Sequence, residues 1–150
     1  MPSHFLGLPT GNAEFTTSCM GIVARAWNTC SEREIPIHLP LDWVVRDASG
    51  RTVVVDRHDV PTSGTIIDVG PRTVQHFLTQ VASVPSVFWN GPLGAYENTP
   101  GEEASLALAA GLIEQEQRGA QVVVGGGDTL ALLTAAELAQ AATFFSAGGG

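Results

Sequence analysis

The spacing of apolar residues changes along this chain, and each change predicts a different element. Between Glu14 and Ser31, the residues Phe15, Cys19, Ile22, Val23, Ala26 and Trp27 fall near one face of a 3.6-residue period, which predicts a helix. Ile35 to Leu39 is a short apolar run broken by Pro40 and reads as a buried strand. Trp43 to Arg46 and Thr52 to Asp56 flank the turn residues Asp47-Ala48-Ser49-Gly50. That is the pattern of a hairpin, and so of a small β excursion near residues 43–56. Asp59 to Gly64 reads as a loop, and the proline- and glycine-bearing opening to Asn12 as irregular chain.

From Thr65 the pattern becomes regular. Strands are expected at Thr65–Val69, Ser86–Trp89, Gln121–Val124 and Thr143–Ser146. Helices are expected at Arg72–Val81, with Pro71 near the start, at Pro100–Arg118 and at Asp128–Gln140. In the second of these, Ala104, Leu108, Leu112 and Ile113 line the core face. Glu102 and Glu103 sit in the first turn, where the macrodipole favours acids, and Gly119 closes the helix. Strand and helix alternate, which predicts an α/β fold of the doubly wound, Rossmann-like kind: a parallel sheet with helices on both faces. Such connections bring every strand-to-helix loop to the same sheet edge.

Two of those loops have the composition of a ligand site. Val122-Val123-Val124 runs into Gly125-Gly126-Gly127-Asp128-Thr129, where bare amides can approach an anion at a helix N-terminus. The glycines serve either close approach to phosphate oxygens or a turn that needs positive φ. Asp128 can cap its helix or hold a magnesium ion that bridges nucleotide phosphates. Thr129 can give its hydroxyl and amide to a phosphate or be an ordinary first-turn threonine. The other loop is Asn90-Gly91-Pro92-Leu93-Gly94-Ala95-Tyr96-Glu97. Asn90 follows a strand directly, so its amide suits either a phosphate or an Asx-turn onto Pro92. Gly91, Pro92 and Gly94 shape a loop against which a flat base or sugar can lie. Glu97, an acceptor-only carboxylate, suits the paired hydroxyls of a ribose or leads the next helix as a solvated acid. Tyr96 packs, and Ile66 and Ile67 are core or an apolar wall for a base.

Composition narrows the classes. The chain has 150 residues, 44% of them hydrophobic and 15% charged, enough for a sizeable core. Its net charge of -8 argues against a nucleic-acid partner, since no basic stripe is present to release counterions. No apolar run of about 18 residues and no basic leader is present, so neither a membrane span nor a targeting peptide is expected. Cys19 and Cys30 read as reduced, buried thiols in the cytoplasm. His4, His38, His58 and His76 lack metal-ligand spacing, and neither a Gly-x-Ser-x-Gly elbow nor a Gly-Lys-Ser/Thr P-loop occurs.

Taken together, Asn90-Gly91-Pro92-x-Gly94-x-Tyr96-Glu97 and Gly125-Gly126-Gly127-Asp128-Thr129 resemble the phosphoglycerate kinase family. Phe5-Leu6, Ile37 to Asp42, Ile67 to Thr73 and Ser146 to Gly150 resemble further landmarks in the same order; Tyr96 stands where the family usually has phenylalanine. The resemblance implies reversible phosphoryl transfer in glycolysis, between 1,3-bisphosphoglycerate and ADP, giving 3-phosphoglycerate and ATP. It implies Mg2+ with ADP or ATP as the bound group, Asp128 as the metal ligand, Glu97 at the ribose, and Asn90, Gly125–Gly127 and Thr129 at the phosphates. It also implies a parent enzyme that is a cytoplasmic monomer.

The family's lysines lie upstream of the matching region, and every one of the seven basic residues here is an arginine. Residues 1–150 are therefore expected to be a partial carboxy-terminal nucleotide-binding domain, incomplete at both ends. The amino-terminal domain that binds 3-phosphoglycerate would be absent, no catalytic residue retained, and the isolated chain inactive. The alternatives are a non-catalytic adenine-nucleotide-binding module or a non-functional gene fragment.

Overall fold

The computed structural model describes residues 7–12, 17–95, 101–136 and 144–146. The expected helix start at Glu14, the segment Tyr96 to Pro100, the helix end at Gln140, Thr143 and the terminal glycines lie outside the described residues. The chain divides into two compact units, Met1–Thr73 and Val74–Gly150.

In the first unit, helix α1 (Thr17–Glu32) is followed by strands β1 (Asp42–Arg46), β2 (Thr52–Asp56) and β3 (Thr65–Val69). α1 ends on a Schellman motif. Glu34 takes a left-handed φ of 54°, and the amides of Glu34 and Ile35 return to the carbonyls of Ser31 and Cys30. Its expected apolar face is only partly used: Val23 and Trp27 are half-buried, whereas Ile22 remains 58% exposed. Ile35 to Leu39 is not a strand, and Ile35 and Ile37 are exposed. Pro36 and Pro40 remove two ladder donors from this short run, which prevents regular pairing.

The hairpin forms as expected, with β1 antiparallel to β2 and Asp42 opposite Asp56. β3 joins β1 on its other side, again antiparallel, giving the order β2-β1-β3. This corrects the expectation that Thr65–Val69 would run in a parallel ladder. Trp43, Val45, Val60, Ile67 and Val69 are buried in this unit.

Asp42 then starts the next helix, α2 (Pro71–Val81), from a distance. Its carboxylate accepts the N–H groups of Arg72 at 3.1 Å and Thr73 at 2.8 Å, together with the Thr73 hydroxyl. That hydroxyl in turn accepts the N–H groups of Leu41 and Asp42. The first-turn amides of a helix have no partner within it, so a carboxylate from another strand fills the N-cap role. Pro71, at the first helical position, has no N–H to satisfy.

The second unit holds β4 (Ser86–Asn90), α3 (Glu103–Gln117), β5 (Gln121–Gly125), α4 (Gly127–Ala135) and β6 (Phe144–Ser146). The strands form a parallel sheet in the order β4-β5-β6. Alternation in β4 and β5 directs Trp89, Val122 and Val124 into a core shared with Leu108, Ala109 and Leu112 of α3 and Leu132 and Leu133 of α4. Phe77, Leu78 and Val81 of α2 pack on the same cluster. Of the residues expected on the core face of α3, Ala104, Leu108 and Leu112 are buried and Ile113 is half-buried. Gly119 closes α3 with φ 101°. The chain is therefore α/β, with a parallel sheet and packed helices.

Truncating Asp42 to alanine removes the carboxylate that caps Arg72 and Thr73, while the Thr73 hydroxyl and N–H keep the carbonyls of residue 42 and Gly70. We expect a loss of roughly 1–2 kcal/mol, the cost of a lost helix cap, read as a lower urea midpoint at unchanged slope. A second expectation concerns acid. The Ser49 hydroxyl first, then the Arg51 N–H, hold the Asp47 carboxyl below the ordinary aspartate range. A carboxyl lowered in the folded state stabilises above its unfolded pKa and loses that contribution as pH falls through the folded value. The hairpin turn should accordingly weaken only below about pH 4. An Asp47 carboxyl titration by NMR with a midpoint at or above the ordinary value would contradict this.

Candidate functional site

The carboxyl end of the parallel sheet carries the residues singled out from sequence. Asn90 ends β4 and lies opposite Gly125, the last residue of β5. Ser146, at the end of β6, is the next partner of Gly125. Aligned strand ends bring the loop after Asn90 and the turn after Gly125 to one edge.

The turn is built around Gly126. This residue is the N-cap of α4, with φ 92° and ψ 131°, a conformation that side chains rarely adopt. A Cβ on Gly126 would stand 2.6 Å from Oδ1 of Asn90, so the Asn90 carboxamide lies directly over the turn. Gly127 opens the helix, is exposed, and has open space where a side chain would project. The capping role weighed for Asp128 is taken by Gly126. Asp128 is instead the second helical residue, exposed in the first turn, where the helix dipole concentrates positive potential.

Thr129 is fully buried, and its hydroxyl accepts the Gly91 N–H at 2.9 Å. Gly91 itself has φ 95°. The Trp89 indole N–H donates to the Gly91 carbonyl at 2.7 Å, and the Leu93 N–H donates to the hydroxyl of Ser105 at 2.8 Å. Three side chains from β4, α3 and α4 thus hold the loop at Gly91 and Leu93. Pro92 and Gly94 are half-buried within it.

Sequence reasoning passed over two of these anchors, Trp89 and Ser105. A trace of Ser105 was present, as a hydroxyl among the alanines and leucines of a core-facing helix stripe. Glu97 lies outside the described residues, so its expected place at a ribose has no geometry here. Ile67 is buried in the first unit, as its core reading required.

Chemically, the edge offers exposed glycine backbone, a helix N-terminus, one carboxamide and one exposed carboxylate, an arrangement suited to an anion accompanied by a hard cation. The apolar gap of about 10 Å³ lined by Trp89, Leu112, Val122, Val124 and Leu133 is a packing void, too small for a ligand. Among the described residues, no group of three or more His, Cys, Asp or Glu side chains could hold a metal ion. Any cation here would depend on ligand and water oxygens as well as Asp128.

The family model for phosphoglycerate kinase matches residues 3–150. The chain belongs to the phosphoglycerate kinase family. Its relatives include the phosphoglycerate kinase of Chloroflexus aurantiacus, 31% identical over 147 residues, which cover 96% of this chain and 37% of that protein. The enzyme of Synechococcus sp. (strain JA-3-3Ab) is 32% identical over 149 residues, covering 96% and 36% respectively. The solved phosphoglycerate kinase of Coxiella burnetii matches with a TM-score of 0.87 at 27% identity, covering 98% of this chain and 38% of that one. The chain thus spans little more than a third of the phosphoglycerate kinases it matches. Among its described residues no helix is long and apolar enough to cross a membrane.

A Gly126→Ala change tests the convergence of the two loops. It combines a strained φ with a methyl group driven into Asn90, and should cost more than about 1 kcal/mol. It should also shift the amide resonances of both Asn90 and Gly91. An unchanged urea midpoint with an unperturbed Asn90 side chain would show that the loops do not meet.

Proposed function

We propose that the edge formed by Asn90–Gly94 and Gly125–Thr129 binds the phosphates of a magnesium adenine nucleotide, as the nucleotide-holding part of a phosphoglycerate kinase. The observation that carries this reading is the Asn90 carboxamide lying over Gly126, at the N-terminus of α4, in a member of this family. The glycine turn Gly125–Gly127 supplies backbone amides to phosphate oxygens, Asn90 supplies its carboxamide, and the buried Thr129 stands behind them. Gly91, Pro92 and Gly94 form the wall beside them, and Glu97 takes the ribose hydroxyls. The hard carboxylate oxygens of Asp128 suit magnesium, directly or through water, and the ion would offset phosphate charge.

In the whole enzyme this binding serves reversible transfer of a phosphoryl group from 1,3-bisphosphoglycerate to ADP, yielding 3-phosphoglycerate and ATP. The acid substrate belongs to a separate amino-terminal domain. Transfer of this kind depends on alignment of donor and acceptor, and on cations at the migrating group. The complete absence of lysine favours binding without turnover for this chain by itself. The free thiol of Cys30 fits a reducing, cytoplasmic setting.

Calorimetric titration of the purified chain with Mg·ADP should give one saturable site. Asp128→Ala should weaken Mg·ADP by about tenfold and leave metal-free ADP no weaker, since a repulsive carboxylate is removed. The same preparation should form no ATP from the acyl phosphate and ADP. Absence of saturable heat, or an Asp128→Ala effect equal with and without magnesium, would overturn the site; ATP formation would overturn the claim of binding alone.

A further inference from the structure

We infer that the Thr129 hydroxyl is a positioning group: through the Gly91 N–H it presets the Asn90 loop in its ligand-ready form before any nucleotide arrives. This rests on the nucleotide site proposed above and assigns Thr129 a task distinct from touching the ligand. Thr129 has no exposed surface, and its oxygen lies 2.9 Å from the Gly91 nitrogen. Gly91 sits at φ 95°, and its carbonyl is held from the other side by the indole of Trp89, itself only 7% exposed. The peptide groups on both sides of the Gly91 Cα are therefore fixed by buried side chains of two different elements, α4 and β4. Asn90 is joined to Gly91 by the first of these peptides, and its Oδ1 lies against Gly126.

The same oxygen of Thr129 lies 3.6 Å from the Cβ position of Gly126, so one hydroxyl is in reach of both loops. A loop already in its bound form spares the ordering cost that a free loop would impose on the ligand.

The test uses Thr129→Val, which keeps the shape and removes the acceptor, and Thr129→Ser, which restores the acceptor. In the nucleotide-free protein, the Gly91 amide should exchange with solvent about tenfold faster in Thr129→Val than in the parent, with Thr129→Ser close to the parent. Mg·ADP affinity should fall by a similar factor in Thr129→Val and recover in Thr129→Ser. Should Thr129→Val fail to fold, Trp89→Phe removes the indole donor from the other end and should likewise speed Gly91 exchange and weaken Mg·ADP. Equal Gly91 exchange in the variant and the parent overturns the inference without reference to any nucleotide. Faster exchange with unchanged Mg·ADP affinity overturns it too, by reducing Thr129 to a structural residue. Failure of the parent chain to bind Mg·ADP, with the exchange difference intact, instead refutes the nucleotide site.

Discussion

The parallel pairing of β4 with β5, with Asn90 opposite Gly125, is the constraint on which the rest of the second unit depends. Parallel strands that start together end together, so two loops remote in sequence share an edge only in this register. A slip of one residue would also turn Trp89, Val122 and Val124 out of the core, because side chains alternate with a period of two. The apolar alternation that buries the core is thus the same pattern that aligns the site. Core and function are fixed by one register.

Above that register, buried hydroxyls hold the backbone of the loops. Ser105 and Thr129 have no exposed surface, and each accepts an amide from the Asn-Gly-Pro loop. In the first unit, Thr73 plays a comparable part at the start of α2, accepting amides from Leu41 and Asp42 while the Asp42 carboxylate caps the helix. Among the described residues, no buried side-chain nitrogen or oxygen lacks a hydrogen-bond partner. Loop shape is therefore held by hydrogen bonds whose loss would each leave a buried polar group unsatisfied. A first-turn hydroxyl or a distant carboxylate tying strand to helix occurs in both units.

What could be read from the sequence follows from how local each signal is. The hairpin was legible because Asp47 to Gly50 sits between two strand runs and needs no distant partner to form a turn. The strands Ser86–Asn90 and Gln121–Gly125 were legible from apolar runs ended by turn residues. Ile35 to Leu39 misled because its apolar composition was weighed above Pro36, and a strand exists only with a partner. The antiparallel course of β3 was hidden because orientation is set by β1, a strand separated from it by the whole hairpin. The capping role of Asp42 had no local signal, because its partner Thr73 lies 31 positions away. At the site, the glycines announced themselves by type, whereas Trp89 was silent and Ser105 left only a trace. A tryptophan on a strand and a serine on a helix become loop anchors only through tertiary placement. Asp128 was weighed as a cap because acids favour that position. A strand that feeds a helix through φ 92° admits only glycine there, which moves the acid to the second position of α4.

The distribution of charge explains why binding and transfer separate in this chain. From Val74 to Gly150 the acids are Glu97, Glu102, Glu103, Glu114, Glu116, Asp128 and Glu137, against one base, Arg118, a formal balance of 1 − 7 = −6. Arg118 pairs with Glu114 at 3.7 Å and precedes β5, at the opposite end of the parallel strands from the Gly125 turn. An anion at that turn consequently meets amide dipoles and no side-chain cation from this unit. Dipoles at a helix end contribute roughly half a unit of positive charge, enough to orient a phosphate but not to neutralise a diphosphate beside an exposed aspartate. A divalent ion between Asp128 and the phosphates converts that aspartate from a repulsive neighbour into a ligand. Stabilising a phosphoryl group in flight asks for further positive charge on its equatorial oxygens. A sheet edge composed of glycine, asparagine and one carboxylate can therefore hold a metal-bearing nucleotide, while the cations of the transfer step must come from groups other than those this edge contains.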